Sequence, residues 1–373
     1  MTKNYSPTLE EINWNFPESG KSRDINNIHP YPAKFIPEIP KSLIDIFPPP
    51  EGTIVFDPFC GSGTTLLEAQ KAGFESLGVD LNPIACLITS VKTSILNTVL
   101  FENVADSVIR KAQSSLEKVE LPDIPNLNHW FKEDIQVEIA KLLIEIRKIE
   151  EKSIHDALLL ALSSILVRIS NQDSDTRYAA IEKNLNANSV YDIFKKSTLQ
   201  IKKAKSVSIL DFPQGRVIQK NILEVTTSDI EKKVGLVITS PPYPNAYEYW
   251  LYHKYRMFWL GYDPLEVKKK EIGARAHYYK KNPPTNQDFQ NEMQYLLQLI
   301  WDSLVDNGKA CFIIGRSKIR GEIVDNAELI TSAAYKVGFT RIAKIERVIA
   351  PSRKSFNLSH GKIKVEHILV FNK

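Results

Sequence analysis

The sequence is poor in the residues that build disulfide frameworks and zinc sites. Its three cysteines (Cys60, Cys86 and Cys311) and its 7 histidines are scattered, and no CxxC or HxxxH pair occurs. Zinc sites in proteins draw on such closely spaced ligand pairs, so we predict no metal site. The small, odd number of cysteines also indicates a reducing compartment.

Long apolar runs are missing as well. The most apolar segment, Ala157 to Val167, is interrupted by Ser163 and Ser164. It is much shorter than the ~20 residues that a membrane-spanning helix needs. The first residues, Met1 to Pro7, have no apolar core, so we predict no signal peptide. We therefore expect a soluble, cytoplasmic protein without a membrane partner.

Composition and charge leave the function open. The chain has 373 residues, of which 43% are hydrophobic and 25% are charged, and these values are typical of globular proteins. This length allows one large domain or two moderate ones. The net charge of +4 is compatible with a nucleic-acid partner but does not by itself indicate one.

A strand, a glycine-containing loop, a helix and a second strand follow one another early in the chain. The apolar residues Thr53 to Phe56 predict a buried strand, Asp57 to Thr65 the turn after it, and Leu66 to Ala72 a helix. Ser76 to Val79 predict the next strand, which Asp80 closes. An acidic residue at this position is placed to accept both hydroxyls of a ribose.

The glycine loop is not suited to a pyrophosphate. It lacks the third glycine of GxGxxG and the Gly-Lys-Ser/Thr of a P-loop, although Gly61 and Gly63 let the backbone pass close to a ligand. A nucleoside without a pyrophosphate therefore fits this loop better than NAD or ATP.

A second motif, Ser240-Pro241-Pro242-Tyr243, follows the apolar run Gly235 to Ile238. The two prolines end the strand, and ligands bind at this edge of an open α/β sheet. Such a turn suits methylation of an exocyclic amine on a nucleobase. The Ser240 hydroxyl and the Pro241 carbonyl can hold the amine, and Tyr243 can stack on a base swung out of the duplex. Taken alone, the tetrapeptide is equally compatible with an ordinary Pro-Pro turn.

Together these motifs resemble those of amino-directed DNA methyltransferases. Asp57-Pro58-Phe59-Cys60-Gly61-Ser62-Gly63-Thr64 is similar to the family's S-adenosyl-L-methionine loop, and Ser240-Pro241-Pro242-Tyr243 is similar to its catalytic tetrapeptide. His29 to Phe35 resembles a further cofactor motif of the family. The matching motifs cover residues 25–90 and 210–260, and the rest of the chain is expected to share only the fold.

The resemblance implies an α/β fold with a Rossmann-like seven-stranded methyltransferase sheet and a helical insert. It implies S-adenosyl-L-methionine as cofactor, no metal, and double-stranded DNA as partner. The catalytic residues that it implies are Ser240, Pro241, Pro242 and Tyr243. The cofactor-binding residues that it implies are Tyr31, Lys34, Phe35, Asp57, Phe59, Cys60, Gly61, Ser62, Gly63, Thr64, Thr65, Asp80, Leu81, Asn221, Ile222 and Ser240.

A serine at the first catalytic position is typical of the cytosine-N4 enzymes, so we expect methylation of cytosine N4 in duplex DNA by base flipping. Adenine-N6 methylation stays open, because the preference for serine is only a tendency. RNA guanine-N2 methylation is a less favoured alternative, and cytosine-C5 methylation is disfavoured because no Pro-Cys turn occurs. A DNA-binding module without activity is the non-enzymatic alternative. The family also implies a restriction-modification setting, with a cognate restriction endonuclease that need not touch this chain.

We divide the chain into residues 1–100 and 206–373, the two halves of the methyltransferase fold, and a helical insert over residues 101–205. The family places its target-recognition region at this point, whereas a plain helical cap with a charged face is the alternative. Lys268 to Pro284 is basic and rich in tyrosine, and predicts a loop that orders on DNA. The DNA-binding residues that we predict are Arg168, Asn171, Arg177, Tyr178, Arg275, Lys280 and Arg353. Tyr247 or Tyr249 is expected near the target base.

Overall fold

The computed structural model describes residues 8–17, 25–34, 36–206, 212–245, 247–319, 321–349 and 365–373. Two predicted site residues, Phe35 and Arg353, lie outside the described residues. Within these ranges, no helix combines the length and the apolar character that a membrane span requires.

Most strands of the fold belong to one sheet. The strands are β1 (Ile54–Asp57), β2 (Ser76–Asp80), β3 (Gln172–Ser174), β4 (Arg177–Ala180), β5 (Gly215–Gln219), β6 (Val234–Thr239), β7 (Leu304–Gly315), β8 (Ser317–Ile319), β9 (Glu322–Val324), β10 (Thr340–Val348) and β11 (Val365–Asn372).

Helices connect the strands and fill the segment between β2 and β5. They are α1 (Glu38–Ile46), α2 (Thr64–Lys71), α3 (Pro83–Thr93), α4 (Thr98–Ser114), α5 (Leu127–Trp130), α6 (Glu133–Arg147), α7 (Lys152–Ile169), α8 (Ala187–Ser206), α9 (Thr227–Ile230), α10 (Tyr249–Tyr252), α11 (Lys254–Leu260), α12 (Pro264–Lys270), α13 (Asn286–Ser303) and α14 (Asn326–Val337). Short 3-10 helices occur at Ile25–Asn27, Ile222–Glu224 and Arg275–Tyr279.

The sheet has seven strands in the order β10-β11-β7-β6-β1-β2-β5. Its central strands are parallel, whereas β11 runs antiparallel to both β7 and β10. This arrangement confirms the predicted Rossmann-like methyltransferase sheet. The chain passes from β1 outward to β2 and β5, and returns to β6 on the other side of β1. That reversal opens a crevice at the carboxyl ends of β1 and β6, where open α/β sheets bind ligands.

The two strands beside this crevice are covered on both faces. Every residue of β1 and of β6 is buried, as expected for parallel strands with helices on each side. Strands without an exposed face are held in fixed register by packing, so the loops that follow them start from rigid points. The crevice is therefore built on two fully buried strands.

The predicted helical insert is confirmed, and its helices share one apolar core with the sheet's own helices. Leu158 and Leu162 of α7 lie in the same buried cluster as Ile84 and Ile88 of α3 and Trp259 of α11. The insert therefore packs as an extension of one face of the sheet. Its role in target recognition stays a prediction.

The prediction of a loop over Lys268 to Pro284 is wrong in part. Helix α12 extends through Lys270, and a 3-10 helix covers Arg275–Tyr279. Asp263 caps α12 by accepting a hydrogen bond from the Leu265 N–H at 2.7 Å, and Pro264 occupies the first turn. The buried Tyr278 side chain holds the 3-10 helix against the protein. The sequence here has no apolar periodicity, so this helix was not predicted.

Candidate active site

A cavity of about 860 Å³, including its open mouth, lies at the carboxyl ends of β1, β2 and β6. It contains most of the predicted catalytic and cofactor-binding residues, which come from distant parts of the chain. The predicted residues that line it are Tyr31, Lys34, Phe59, Cys60, Gly61, Ser62, Thr64, Asp80, Leu81, Asn221, Ile222, Ser240 and Pro242. Their binding of a cofactor stays a prediction, although the fold brings them to one place.

The glycine loop folds back against the end of β2. The Cys60 N–H donates to the Val79 carbonyl at 2.9 Å, and the Gly61 N–H donates to Asp80 Oδ2 at 2.9 Å. Gly61 has a φ of +48°, which an L-residue rarely adopts, and a Cβ there would lie 3.1 Å from the hydroxyl oxygen of Tyr31. A glycine is therefore needed at this position so that the Tyr31 ring can cover the loop.

Asp80 presents a carboxylate to the cavity. Its Oδ1 accepts a hydrogen bond from the Asn82 N–H at 2.8 Å, and its Oδ2 accepts the Gly61 N–H. Burial raises the pKa of Asp80 to about 6, and the hydrogen bonds from the backbone oppose that rise. Each carboxylate oxygen has a second lone pair, so both can still accept a hydroxyl from a ligand. This geometry suits a diol.

Asp57, Gly63 and Thr65 lie behind the cavity wall and do not line it, which differs from their predicted contact with a cofactor. Oδ1 of the fully buried Asp57 accepts hydrogen bonds from the Thr239 hydroxyl at 2.7 Å and from the Phe59 N–H at 3.1 Å. Burial raises the pKa of Asp57 to about 6. Asp57 thus ties the end of β1 to the end of β6 and aligns the glycine loop with the catalytic turn.

The other two residues support the loop from below. A Cβ on Gly63 would lie 2.6 Å from the Thr89 side chain, so this glycine faces α3. The Thr65 hydroxyl donates to the Ile238 carbonyl of β6 at 3.3 Å. Both residues therefore fix the loop to its neighbours. Their presence in the motif is explained by the backbone conformation that they support.

The predicted catalytic turn divides between the cavity and the protein interior. Ser240 and Pro242 line the cavity, whereas Pro241 is buried and Tyr243 packs away from the lining. The Tyr243 ring lies against Gly315 at the end of β7, where a Cβ would come within 2.9 Å of the ring. Burial raises the pKa of Tyr243, and hydrogen bonds from the Ser240 side chain and the Gly315 backbone oppose the rise. Stacking of Tyr243 on a base stays a prediction.

Asn245 anchors the turn on both sides. It adopts a left-handed conformation with a φ of +57°, which asparagine tolerates better than most residues. Its N–H donates to the Gly273 carbonyl at 3.0 Å, and its Nδ2 donates to the Lys318 carbonyl at 2.8 Å. The turn is therefore held between the segment after α12 and the hairpin of β8 and β9.

One side of the cavity was missed by sequence reasoning. Val267, Lys270, Glu271 and Ile272 line it, and they belong to α12 and the turn that follows. The Asp263-Pro264 capping signal predicts a helix here, but nothing in the sequence indicates which surface that helix covers. Asn82, Lys220 and Tyr249 also line the cavity and were not among the predicted cofactor-binding residues.

Glu271 fixes this side of the cavity. Its carboxyl oxygens accept hydrogen bonds from the N–H groups of Tyr249 and Trp250, both at 2.8 Å. Burial raises the pKa of Glu271 to about 8, although these hydrogen bonds favour the charged form. The contacts place the Tyr249 ring on that of Tyr31, with ring centres 5.8 Å apart and planes at 27°. Tyr249 thus lies at the cavity, and Tyr247 packs beside it with ring centres 5.7 Å apart.

The predicted DNA-binding residues form two groups. Arg168, Arg177 and Tyr178 are exposed at the end of α7 and on the β3–β4 hairpin, whereas Arg275 and Lys280 lie in the segment after α12. Arg275 donates to the Tyr279 hydroxyl at 3.3 Å. Contact of these residues with DNA stays a prediction.

Asn171 makes hydrogen bonds within the protein, and its contact with DNA stays a prediction. Its Nδ2 donates to the His129 carbonyl at 2.9 Å, and its N–H donates to the Trp130 carbonyl at 2.7 Å. These bonds fix the base of the β3–β4 hairpin to the end of α5, so the side-chain NH2 group of Asn171 already has a partner within the protein.

In the described part of the chain, no group of three or more His, Cys, Asp or Glu side chains is arranged to hold a metal ion.

Comparisons with known proteins point to one family. A family model described as DNA methylase matches residues 2–90. The chain is 23% identical to Type II methyltransferase M.MvaI of Kocuria varians over 243 residues, which span 58% of this chain and 53% of that protein. It is 22% identical to Type II methyltransferase M.BsoBI of Geobacillus stearothermophilus, covering 87% of this chain and 80% of that protein.

The chain thus spans about half the length of the first of these relatives. Among solved structures, the rRNA methyltransferase aviRa from Streptomyces viridochromogenes is similar over 93% of this chain and 89% of that one, with 8% identity and a TM-score of 0.35. The family model and these relatives support an N4/N6 DNA methyltransferase.

Proposed function

We propose that this protein transfers a methyl group from S-adenosyl-L-methionine to the N4 amine of a cytosine in duplex DNA. One observation carries the proposal. The Asp80 carboxylate and the Ser240 turn face the same cavity. Asp80 ends β2 and Ser240 follows β6, and the Asp57–Thr239 hydrogen bond fixes β1, which lies between these two strands, to the end of β6. A nucleoside site and an amine-binding turn therefore lie side by side.

The lining fits a nucleoside cofactor without phosphates. The glycine loop lacks the Gly-Lys-Ser/Thr of a phosphate-binding loop, and the Asp80 carboxylate lies against it, which disfavours a pyrophosphate at this point. Asp80 would accept the ribose hydroxyls, and Phe59 and Ile222 offer apolar surface for a base. The side-chain oxygen Oδ1 of Asn221 accepts the Leu223 N–H at 3.1 Å and has a second lone pair for an exocyclic amine. When bound, the cofactor supplies an electrophilic methyl group on a positively charged sulfur.

The chain's own part in the reaction is to orient the amine. The lone pair of an exocyclic amine is delocalised into the ring, so the amine is a poor nucleophile. The Ser240 hydroxyl and the Pro241 carbonyl would accept its two hydrogens and favour a pyramidal nitrogen with a localised lone pair. Since methyl transfer from a sulfonium has a good leaving group, correct positioning supplies most of the acceleration.

The target base must leave the duplex to reach this recessed turn. Tyr249 lines the cavity and Tyr243 belongs to the catalytic turn, so we assign these two rings to stacking on the flipped base. The insert over residues 101–205, with the β3–β4 hairpin, would recognise the target sequence. Restriction-modification is the setting that the Type II relatives support for this chain.

The test is mass spectrometry of nucleosides from unmethylated plasmid incubated with the protein and S-adenosyl-L-methionine. We expect N4-methyldeoxycytidine, and none with Ser240→Ala, which should still bind the cofactor. N6-methyldeoxyadenosine would keep the mechanism and overturn the assignment of cytosine. Methylation of RNA alone, or full activity of Ser240→Ala, would overturn the proposal.

A further inference from the structure

The β8–β9 hairpin stands at the same edge of the sheet as the catalytic turn. Strands β6 and β7 run side by side, with Thr239 opposite Phe312, and β7 ends three residues later at Gly315. The hairpin begins at Ser317, next to the segment that starts at Ser240. Any duplex that delivers a base to Ser240 must therefore pass close to this hairpin.

The two faces of the hairpin differ. Ser317 pairs with Val324 across the hairpin, and both are buried. The next pair, Lys318 and Ile323, points to the opposite face, because successive side chains alternate along a strand. Lys318 is exposed there, and Ile323 is 72% exposed. Glu322 lies on the same face as Ser317 and Val324. The other face, called the outward face, therefore combines the Lys318 cation with the large apolar side chain of Ile323.

Two cations at this hairpin have no acidic partner in the described part of the chain. Arg316 is exposed at the start of the hairpin, one residue after the end of β7. Among the described residues, no carboxylate lies within ion-pairing distance of the Arg316 guanidinium or the Lys318 ammonium. Unpaired cations beside an exposed apolar side chain are typical of surfaces that meet a nucleic acid.

The hairpin is held firmly where it leaves the sheet. The Asn326 Nδ2 donates to the Gly315 carbonyl and to the Ser317 hydroxyl, both at 2.8 Å, and Asn326 is fully buried. The Lys318 carbonyl accepts the Asn245 Nδ2, which connects the hairpin to the catalytic turn. A contact made by the outward face is therefore fixed in position relative to Ser240.

We propose that the outward face of the β8–β9 hairpin is a second DNA-binding element, beside the target base and separate from the insert. Arg316 and Lys318 bind backbone phosphates, and Ile323 packs against the sugar and base edges of the duplex. The identity of the partner rests on the proposed function. Its charge and its approach to Ser240 favour DNA over a second copy of this chain, whose own outward face would carry the same unpaired cations.

The first experiment compares wild type with an Arg316→Ala, Lys318→Ala double variant in binding to an oligonucleotide duplex over a range of salt concentrations. Each phosphate contact contributes about 0.9 to the slope of log affinity against log salt, so we expect the slope to fall by about 2. At low salt the affinity for DNA should fall roughly tenfold or more. Affinity for S-adenosyl-L-methionine should not change, since neither residue lines the cavity.

Lys336→Ala is the matched control. Helix α14 begins just after the hairpin, and Lys336 is an exposed lysine in its last turn, at the end far from the hairpin. Ile323→Ser tests the apolar contact, with the 49% exposed Ile342 changed to serine as its control. We expect about fivefold weaker DNA binding for Ile323→Ser, and no change for either control.

An unchanged affinity and salt slope in the double variant would overturn the inference while leaving the proposed function intact. If wild type binds DNA but does not methylate it, the proposed function is overturned, and the same salt series still tests the hairpin. Wild type that binds no duplex DNA would overturn the inference as well. Circular dichroism and thermal unfolding show whether each variant is folded.

Discussion

The two sides of the cavity are built in different ways. On one side, the glycine loop and Asp80 come from a continuous β-loop-α-β segment whose contacts are local. On the other side, Glu271 and its neighbours arrive from the far end of the chain and are held by hydrogen bonds to Tyr249 and Trp250. The first side is specified by a motif, whereas the second is specified by packing. The comparison predicts that changes on the first side alter ligand binding and that changes on the second side alter the arrangement of the site.

The largest effect is expected from Asp80→Asn, on the local side. The amide keeps the shape but loses the charge that would accept both ribose hydroxyls, and one of its two polar atoms becomes a donor facing a backbone N–H. We expect binding of S-adenosyl-L-methionine, measured by calorimetry, to weaken about 100-fold, since hydrogen bonds to charged groups contribute about 1.5–3 kcal/mol each.

Asp57→Asn is the matched control, because Asp57 has a similarly raised pKa but lies behind the wall. It should lower the melting temperature through its contact with Thr239 and change the cofactor affinity much less than Asp80→Asn. Equal losses of affinity in the two variants would contradict the distinction between lining and support.

A second large effect is expected from Gly315→Ala, on the side that packing assembles. The new Cβ would lie 2.9 Å from the Tyr243 ring, so the ring and the catalytic turn must shift. We expect kcat to fall about tenfold, because small displacements of reacting groups are costly, with little change in cofactor affinity. In a Tyr243→Ala background the same change should have no further effect on kcat, and additive losses would show that Gly315 acts in another way.

These two sites also show how much the sequence could predict. Asp57 to Thr65 and Asp80 are near in sequence, so the strand, the turn and the acidic residue form one local pattern. Gly315 ends a strand, which is a common position for glycine and gives no specific signal. Its contact with Tyr243 depends on the register of β6 and β7. Glu271 follows a helix that its Asp263 cap indicates, but its partners lie more than 20 residues earlier. Contacts that depend on tertiary packing leave no periodicity to detect.

The same reasoning explains why some predicted residues on the local side do not line the cavity. Asp57, Gly63 and Thr65 belong to the motif as firmly as Gly61 does, yet they point to Thr239, Thr89 and Ile238. A motif fixes the path of the backbone, and some residues along that path face the cavity while others face the interior. The pattern predicted the loop correctly and did not distinguish these two directions.

A smaller effect, specific in its pH range, is expected from Glu271→Gln. The pKa of Glu271 is raised to about 8, so the folded state holds this proton at pH values where the unfolded state has released it. Stability from this group is therefore present below the unfolded pKa near 4.5 and is lost as the pH rises toward 8. The loss cannot exceed about 1.4 kcal/mol per pH unit.

Asp57 and Asp80, with pKa values of about 6, affect mainly the range below pH 6. Between pH 6 and 8, the free energy of unfolding should therefore fall more steeply for wild type than for Glu271→Gln. Glu266→Gln on the exposed face of α12 is the control and should follow wild type. Parallel curves for wild type and Glu271→Gln in urea unfolding would show that the carboxyl is ionised throughout this range.

The smallest effect is expected from Lys270→Ala, which tests whether every lining residue on the α12 side matters. Its ammonium pairs with Glu224 at 3.0 Å, and both side chains are about half exposed, with 46% and 50% of their surface accessible. Exposed ion pairs of this kind contribute about 0–1 kcal/mol, so stability should change little. Cofactor affinity should change less than about twofold, because a solvated cation at the rim contributes weakly. Calorimetry measures the cofactor affinity of Lys270→Ala and Glu271→Gln side by side. A loss of affinity in Lys270→Ala close to that of Asp80→Asn would mean that α12 binds the ligand directly and does not merely cover it.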